Sequence, residues 1–176
     1  FTTWGHVPGV PQSQVILSVC DGLVAATIHI PGENPYQITP KGDGVHQVTE
    51  LDPATLPPCG TADVVVPGGV PPAGFDVPPV AADGSPVVVD VMIVYTPAAR
   101  TGAGGVSGMH SVVDLALAEA NTTYVNSGVN VSLRLVYCGE VAYTETGTAT
   151  TDLTRLTGTT DGYLDPVHSL RNQYGA

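Results

Sequence analysis

The side chains best equipped for chemistry in this chain are three cysteines and five histidines. Cys20, Cys59 and Cys138 cannot all pair with one another, so at least one is free, bound to a metal or joined to a thiol elsewhere. Cys59 has the most pointed surroundings, Leu56-Pro57-Pro58-Cys59-Gly60, in which two prolines stiffen the approach and a glycine lets backbone pass close to whatever the thiol meets. A disulfide from Cys59 to Cys20 is the structural alternative, and it would staple a small extracellular unit. Cys138, between Tyr137 and Gly139, suits a buried thiol at a strand end or a partner for a cysteine elsewhere. His6, His29, His46, His110 and His168 do not show the spacing of a His-Glu-x-x-His zinc helix. Asp165, His168 and Arg171 share one short stretch, where a histidine beside an acid is a packing residue more often than a catalytic one. Asp90 stands in an apolar run and needs a partner if buried, with a helix cap or solvent the expected answer. Asn121-Thr122-Thr123 and Asn130-Val131-Ser132 match the glycosylation acceptor pattern, which is common by chance.

These groups are carried by 176 residues, of which 43% are hydrophobic, enough to build a core. Sixteen acidic residues against five basic ones give a formal charge of −11, a poor match for nucleic acid or an anionic membrane. No run of about 18 apolar residues offers a membrane span. Only 12% of residues are charged while Gly and Pro are frequent, a composition that points to an exported, extracellular protein.

Three segments differ in pattern. From Val15 to Leu51 the chain reads as an antiparallel meander: Val15–Val19 and Leu23–Ile30 flank the turn dipeptide Asp21-Gly22, and Tyr36–Thr39 and Val45–Leu51 flank Lys41-Gly42-Asp43-Gly44. This unit, taken as 1–59, has too few residues to bury much by itself. Residues 60–86 are rich in Pro and Gly, with room only for a short Val64-Val65-Val66 strand, and read as a linker or activation arm open to proteolysis. From Val87 onward an α/β layer begins. Val87–Tyr95 is nearly all apolar, as for a strand covered on both faces, and Met109, Val113, Ala116, Leu117, Ala120 and Tyr124 recur at helical spacing between a Ser107 N-cap and a Gly128 stop. Val131, Leu133 and Leu135 alternate in a second strand. A helical turn at Asp152–Leu156 precedes a helix that Asp165-Pro166 starts and Gly175 ends.

The runs Val89-Asp90-Val91-Met92-Ile93-Val94-Tyr95-Thr96-Pro97-Ala98-Ala99-Arg100, Asn126-Ser127-Gly128-Val129-Asn130-Val131 and Asp161-Gly162-Tyr163-Leu164-Asp165, continuing through His168 and Arg171 to Tyr174-Gly175-Ala176, stand in a definite order. Over Val87 to Ala176 they resemble the first half of the catalytic domain of bacterial reprolysin-like metzincin metallopeptidases, closest to the peptidyl-Asp metalloendopeptidases. The meander resembles the propeptide of such proteases. The resemblance implies an α+β to α/β architecture: a small antiparallel β propeptide unit, then the truncated N-terminal part of a zincin-like α/β domain at 87–176. It also implies a secreted zymogen that hydrolyses protein or peptide substrates with a zinc-activated water.

In that family a His-Glu-x-x-His-x-x-Gly-x-x-His helix holds the zinc, and this chain has no such motif. The resemblance therefore implies a chain inactive alone, whose partner is the missing C-terminal half of the same domain, and no catalytic residue carries over. It makes Cys59 the one candidate metal ligand, a thiolate able to take zinc's open position and keep the protease latent. A truncated domain should leave Val91, Ile93, Leu133, Leu135, Val167 and Tyr174 less covered than their pattern demands. The rival reading is a secreted non-catalytic binding or adhesion module on the same scaffold.

Overall fold

The structure, a computed structural model, describes residues 1–56, 85 and 87–176. Cys59, the Val64–Val66 run and the rest of the Pro/Gly-rich arm lie outside the described residues. Among the described residues there are two sheets, a five-stranded antiparallel meander in the order β1-β2-β3-β4-β5 and a parallel pair.

The meander runs β1 Thr2–Gly5, β2 Gln14–Cys20, β3 Leu23–His29, β4 Tyr36–Gly42 and β5 Val45–Glu50. Asp21 and Gly22 join β2 to β3 with φ of 49° and 79°, the two positive values that a tight hairpin of matching twist requires. The second turn is shorter than its sequence suggests. β4 continues through Gly42, with a register slip between Pro40 and Gly42, and only Asp43-Gly44 turns the chain. Strand β1 lacks a clear alternation in its sequence and is held by pairing Thr2 with Ser18 and Trp4 with Ile16.

The second sheet pairs β6 Val87–Tyr95 in parallel with β7 Val131–Glu140. Parallel strands need a long crossover, supplied by α1 Pro97–Gly102 and the 21-residue α2 Val106–Asn126. Thr96 caps α1, its hydroxyl accepting from Ala99 N at 3.0 Å. Helix α2 starts differently from the expected Ser107 cap. Its N-cap is Gly105, which offers no side chain, and Ser107 Oγ instead donates to Asp21 Oδ2 at 2.6 Å, tying the helix to the β2–β3 turn. Gly128, with φ of 67°, ends the helix as expected.

The meander does not stand apart from the second half. Ile16 and Ala25 form one buried cluster with Leu115 and Ala118 of α2, and Val112 packs against it. Trp4 Nε1 donates to Thr122 Oγ1 at 3.1 Å farther along the helix. On its other side α2 lies on β7, where Asn121 binds Leu133 twice: its Oδ1 accepts from Leu133 N at 2.7 Å and its Nδ2 donates to Leu133 O at 3.1 Å. That use of its amide gives Asn121 a structural role in place of the acceptor pattern.

Asp90 corrects its expectation too. It faces its register partner Arg134 across the parallel strands and accepts from Nε at 2.6 Å and Nη2 at 2.7 Å, a fork that holds its carboxyl below the ordinary range. Val87–Val89 are exposed, so the start of β6 is not covered on both faces among the described residues. Val91, Ile93, Leu133 and Leu135 are half-buried and Tyr174 is exposed, in line with the expected shortfall in cover. Val167 departs from it, being 7% exposed in a cluster with Tyr143 and Leu164 on which Met92, Val94 and Val141 pack. Helix α3, Ala149–Thr157, is longer than the turn its sequence suggests. In α4, Asp165–Tyr174, Leu164 is the N-cap, while Asp165 stands in the first turn and accepts from Gly162 N at 3.0 Å. No helix among the described residues is long and apolar enough to cross a membrane.

If Leu115, 4% exposed, fills the seam between sheet and helix, Leu115→Ala should cost about 2–5 kcal/mol. Val125→Ala, at a site 76% exposed, should change stability by less than about 0.5 kcal/mol. Urea denaturation of the two variants checks the contrast.

Candidate functional site

Two places gather reactive or binding side chains. The first is a pocket of about 210 Å³ where three elements meet: Cys20 from the end of β2, His110 and Asp114 one turn apart on α2, and Cys138 from β7. Among the described residues neither thiol is joined to another cysteine. Burial, reinforced by the Asp114 carboxylate, pushes the Cys138 thiol up and keeps it protonated, which makes it a weak nucleophile and a weak metal ligand. Among the described residues no three His, Cys, Asp or Glu side chains stand where they could hold a metal ion together. The pocket therefore does not fit zinc, despite its list of donor types. The sequence placed Cys20 and Cys138 in separate units and gave no sign that α2 brings them to one cavity. The four-residue spacing of His110 and Asp114 was the signal for half of this group.

The second place is a groove of about 410 Å³ at the carboxyl ends of β6 and β7, where ligands of open α/β sheets bind. Val94, Val141, Leu153, Leu156 and Leu164 supply its apolar surface, and Thr96, Tyr143, Glu145 and Asp152 its polar margin. Asp152 organises that margin. It accepts from Tyr143 Oη at 2.5 Å, Thr146 N at 3.0 Å and Thr146 Oγ1 at 2.8 Å. These donors, the tyrosine first, hold its carboxyl below the ordinary carboxylate value. Desolvation and then the bond to Asp152 raise the Tyr143 phenol, so it stays neutral and donates. Arg155 Nη1 approaches the same Tyr143 oxygen at 3.4 Å while its guanidinium lies 3.8 Å over the Tyr163 ring. At the mouth Thr96 Oγ1 donates to Glu145 Oε1 at 2.5 Å, and Arg100 Nε binds Glu140 Oε2 at 2.5 Å. This arrangement can seat an extended apolar segment.

Three of the five histidines take structural places. His168 Nε2 bonds the Gly158 carbonyl at 2.7 Å, Val24 N donates to His46 Nε2 at 2.8 Å, and His6 bonds the Ser13 carbonyl. Arg171 donates to the neighbouring Asn172 Oδ1 at 3.0 Å, so Asp165, His168 and Arg171 do not act as a set. The sequence did not single out the Tyr143–Asp152–Arg155 network, because its members belong to a loop and a short helix with no repeating pattern.

The folded-state value of Asp152 lies below the ordinary 3.8. Its stabilising contribution is thus complete above that pH and is lost as the pH falls through the lowered value. The Thr146 amide shift, followed by NMR from about pH 6 to about pH 2, should titrate with a midpoint below 3.8. Asp152→Asn should abolish that transition.

No family model matches the chain, and no solved structure matches it. Over 168 residues, 94% of its length, it is 38% identical to the peptidyl-Asp metalloendopeptidase of Xanthomonas campestris pv. campestris, of which it covers 40%. The peptidyl-Asp metalloendopeptidases of Stenotrophomonas maltophilia strains R551-3 and K279a are 37% and 36% identical over 168 residues, again 94% of this chain and 39% of theirs. The chain spans about two fifths of the length of the curated relatives it matches. It is related to the metallopeptidases across both its antiparallel sheet and its parallel β6–α2–β7 unit.

Proposed function

We propose that this chain is the N-terminal portion of a secreted metalloendopeptidase made as a zymogen, which hydrolyses protein or peptide substrates. The observation that carries this reading is the 38% identity over 94% of the chain to a protein named as a metalloendopeptidase. Residues 1–59 then form the propeptide, 60–86 the activation arm and 87–176 the first half of a metzincin catalytic domain. The strand–helix–strand order of that last part and the groove at its strand ends support the assignment. The metal of the parent protein, zinc in this reading, is held by residues outside those described here. Cys59 is the candidate from this chain, as the thiol that blocks the metal in the latent form, against the alternative of a disulfide to Cys20. Export agrees with the low charged content and the acidic balance.

Sequencing the parent gene past Ala176 tests the assignment directly. A His-Glu-x-x-His motif within the next few dozen residues is expected, and its absence from the remainder of the gene would sink the enzyme reading.

Limited proteolysis of the full-length protein should cut first within 60–86 and raise peptidase activity. Cys59→Ser should show activity before cutting if the thiol blocks the metal. A mapped Cys20–Cys59 disulfide with unchanged latency in the variant would remove that role while leaving the enzyme assignment intact.

A further inference from the structure

The antiparallel sheet and the second half of the chain meet through backbone as well as side chains. Where β4 slips register between Pro40 and Gly42, its corner presses on the loop between α1 and α2. A methyl group placed on Gly104 would lie 2.7 Å from Gly42 Cα and 2.5 Å from the Lys41 carbonyl carbon, and nearer still to Gly42 N. The obstacle is backbone, which has no rotamer by which to withdraw. Gly104 also has a φ of 76°, so both its space and its conformation call for glycine. Beside this contact Pro40 is fully buried, and Lys41 Nζ donates to Gly102 O at 3.5 Å. From there the seam follows α2 through Ser107–Asp21, the cluster of Ile16 and Ala25 with Leu115 and Ala118, and Trp4–Thr122.

We propose that residues 1–56 and 87–176 hold together without the covalent connection between them, with the Pro40–Gly42 corner seated on Gly104 as the latch. The partner of the sheet-facing side of α2 and of its preceding loop is then the N-terminal sheet itself, and it remains bound as a separate chain once the connection is severed. A seam with a buried apolar centre and polar ties on either side has the anatomy of a subunit interface. The inference rests on packing alone and stands whether or not the parent protein is a peptidase.

The test uses the full chain with a site-specific protease sequence placed between residues 57 and 86. After cutting, the fragments are run by gel filtration at micromolar and then nanomolar concentration. Wild-type fragments should co-elute at both. Gly104→Ala fragments should separate, with affinity lowered at least about tenfold. Gly128→Ala serves as the control for backbone strain, since Gly128 has a φ of 67° and nothing within 4 Å of an added methyl, and its fragments should co-elute. Should Gly104→Ala not fold, Ile16→Ala, which leaves the loop untouched, should give fragments that separate at nanomolar concentration. Wild-type fragments that part on cutting would overturn the proposal, as would Gly104→Ala fragments behaving like those of Gly128→Ala, or Ile16→Ala fragments co-eluting at nanomolar concentration.

Discussion

Helix α2 has to be covered on two sides, and most of the architecture follows from that requirement. A surface helix has one apolar stripe and can be satisfied by one neighbour. In α2 the buried positions Gly108, Ser111, Leu115 and Ala118 accompany a further set around Val113, and Asn121 reaches outward to β7. The small residues among them let the antiparallel sheet come close, and the small residues Ala25 and Ala26 on β3 match them. One sheet alone would leave half of this helix uncovered. The antiparallel meander and the parallel pair are therefore parts of one packed body, although their strands never hydrogen-bond to each other.

This two-sided demand also explains what the sequence concealed. Strand alternation, the Asp21-Gly22 turn, the strand–helix–strand order and the Gly175 stop were all legible, because each depends on residues close in sequence. The stripe of Met109, Val113, Ala116, Leu117, Ala120 and Tyr124 described only one side of α2. Its second side, Ser111, Leu115 and Ala118, blends into a helix that is apolar or small nearly all round, so the pattern gave no sign that the meander would dock there. The same blindness affected Asp90, whose partner Arg134 lies 44 residues away, and Ser107, whose hydroxyl serves a turn 86 residues earlier instead of its own helix.

The two candidate sites were legible to different degrees for a related reason. The apolar groove sits where parallel strands end, a position that strand order alone foretells. Its polar margin depends on the Tyr143–Asp152 bond, formed between a loop and the helix that follows it, and neither residue type signals the other at that spacing. The thiol pocket needs three elements in register at once. It illustrates how donor types can share a cavity without forming a metal site, since a protonated thiol and the absence of a converging trio among the described residues both oppose coordination.

The pair of bonds between Asn121 and Leu133 has a consequence for how the parallel sheet can grow. Along a strand the main-chain groups of one residue point to the same side, and Leu133 offers both of its groups to Asn121. The side-chain amide thus stands in for a neighbouring strand and occupies the outer rim of β7 near its start. A newcomer pairing there would have to strip a half-buried amide of both its partners. The rim of β7 is thus blocked at this point against unwanted edge-to-edge association.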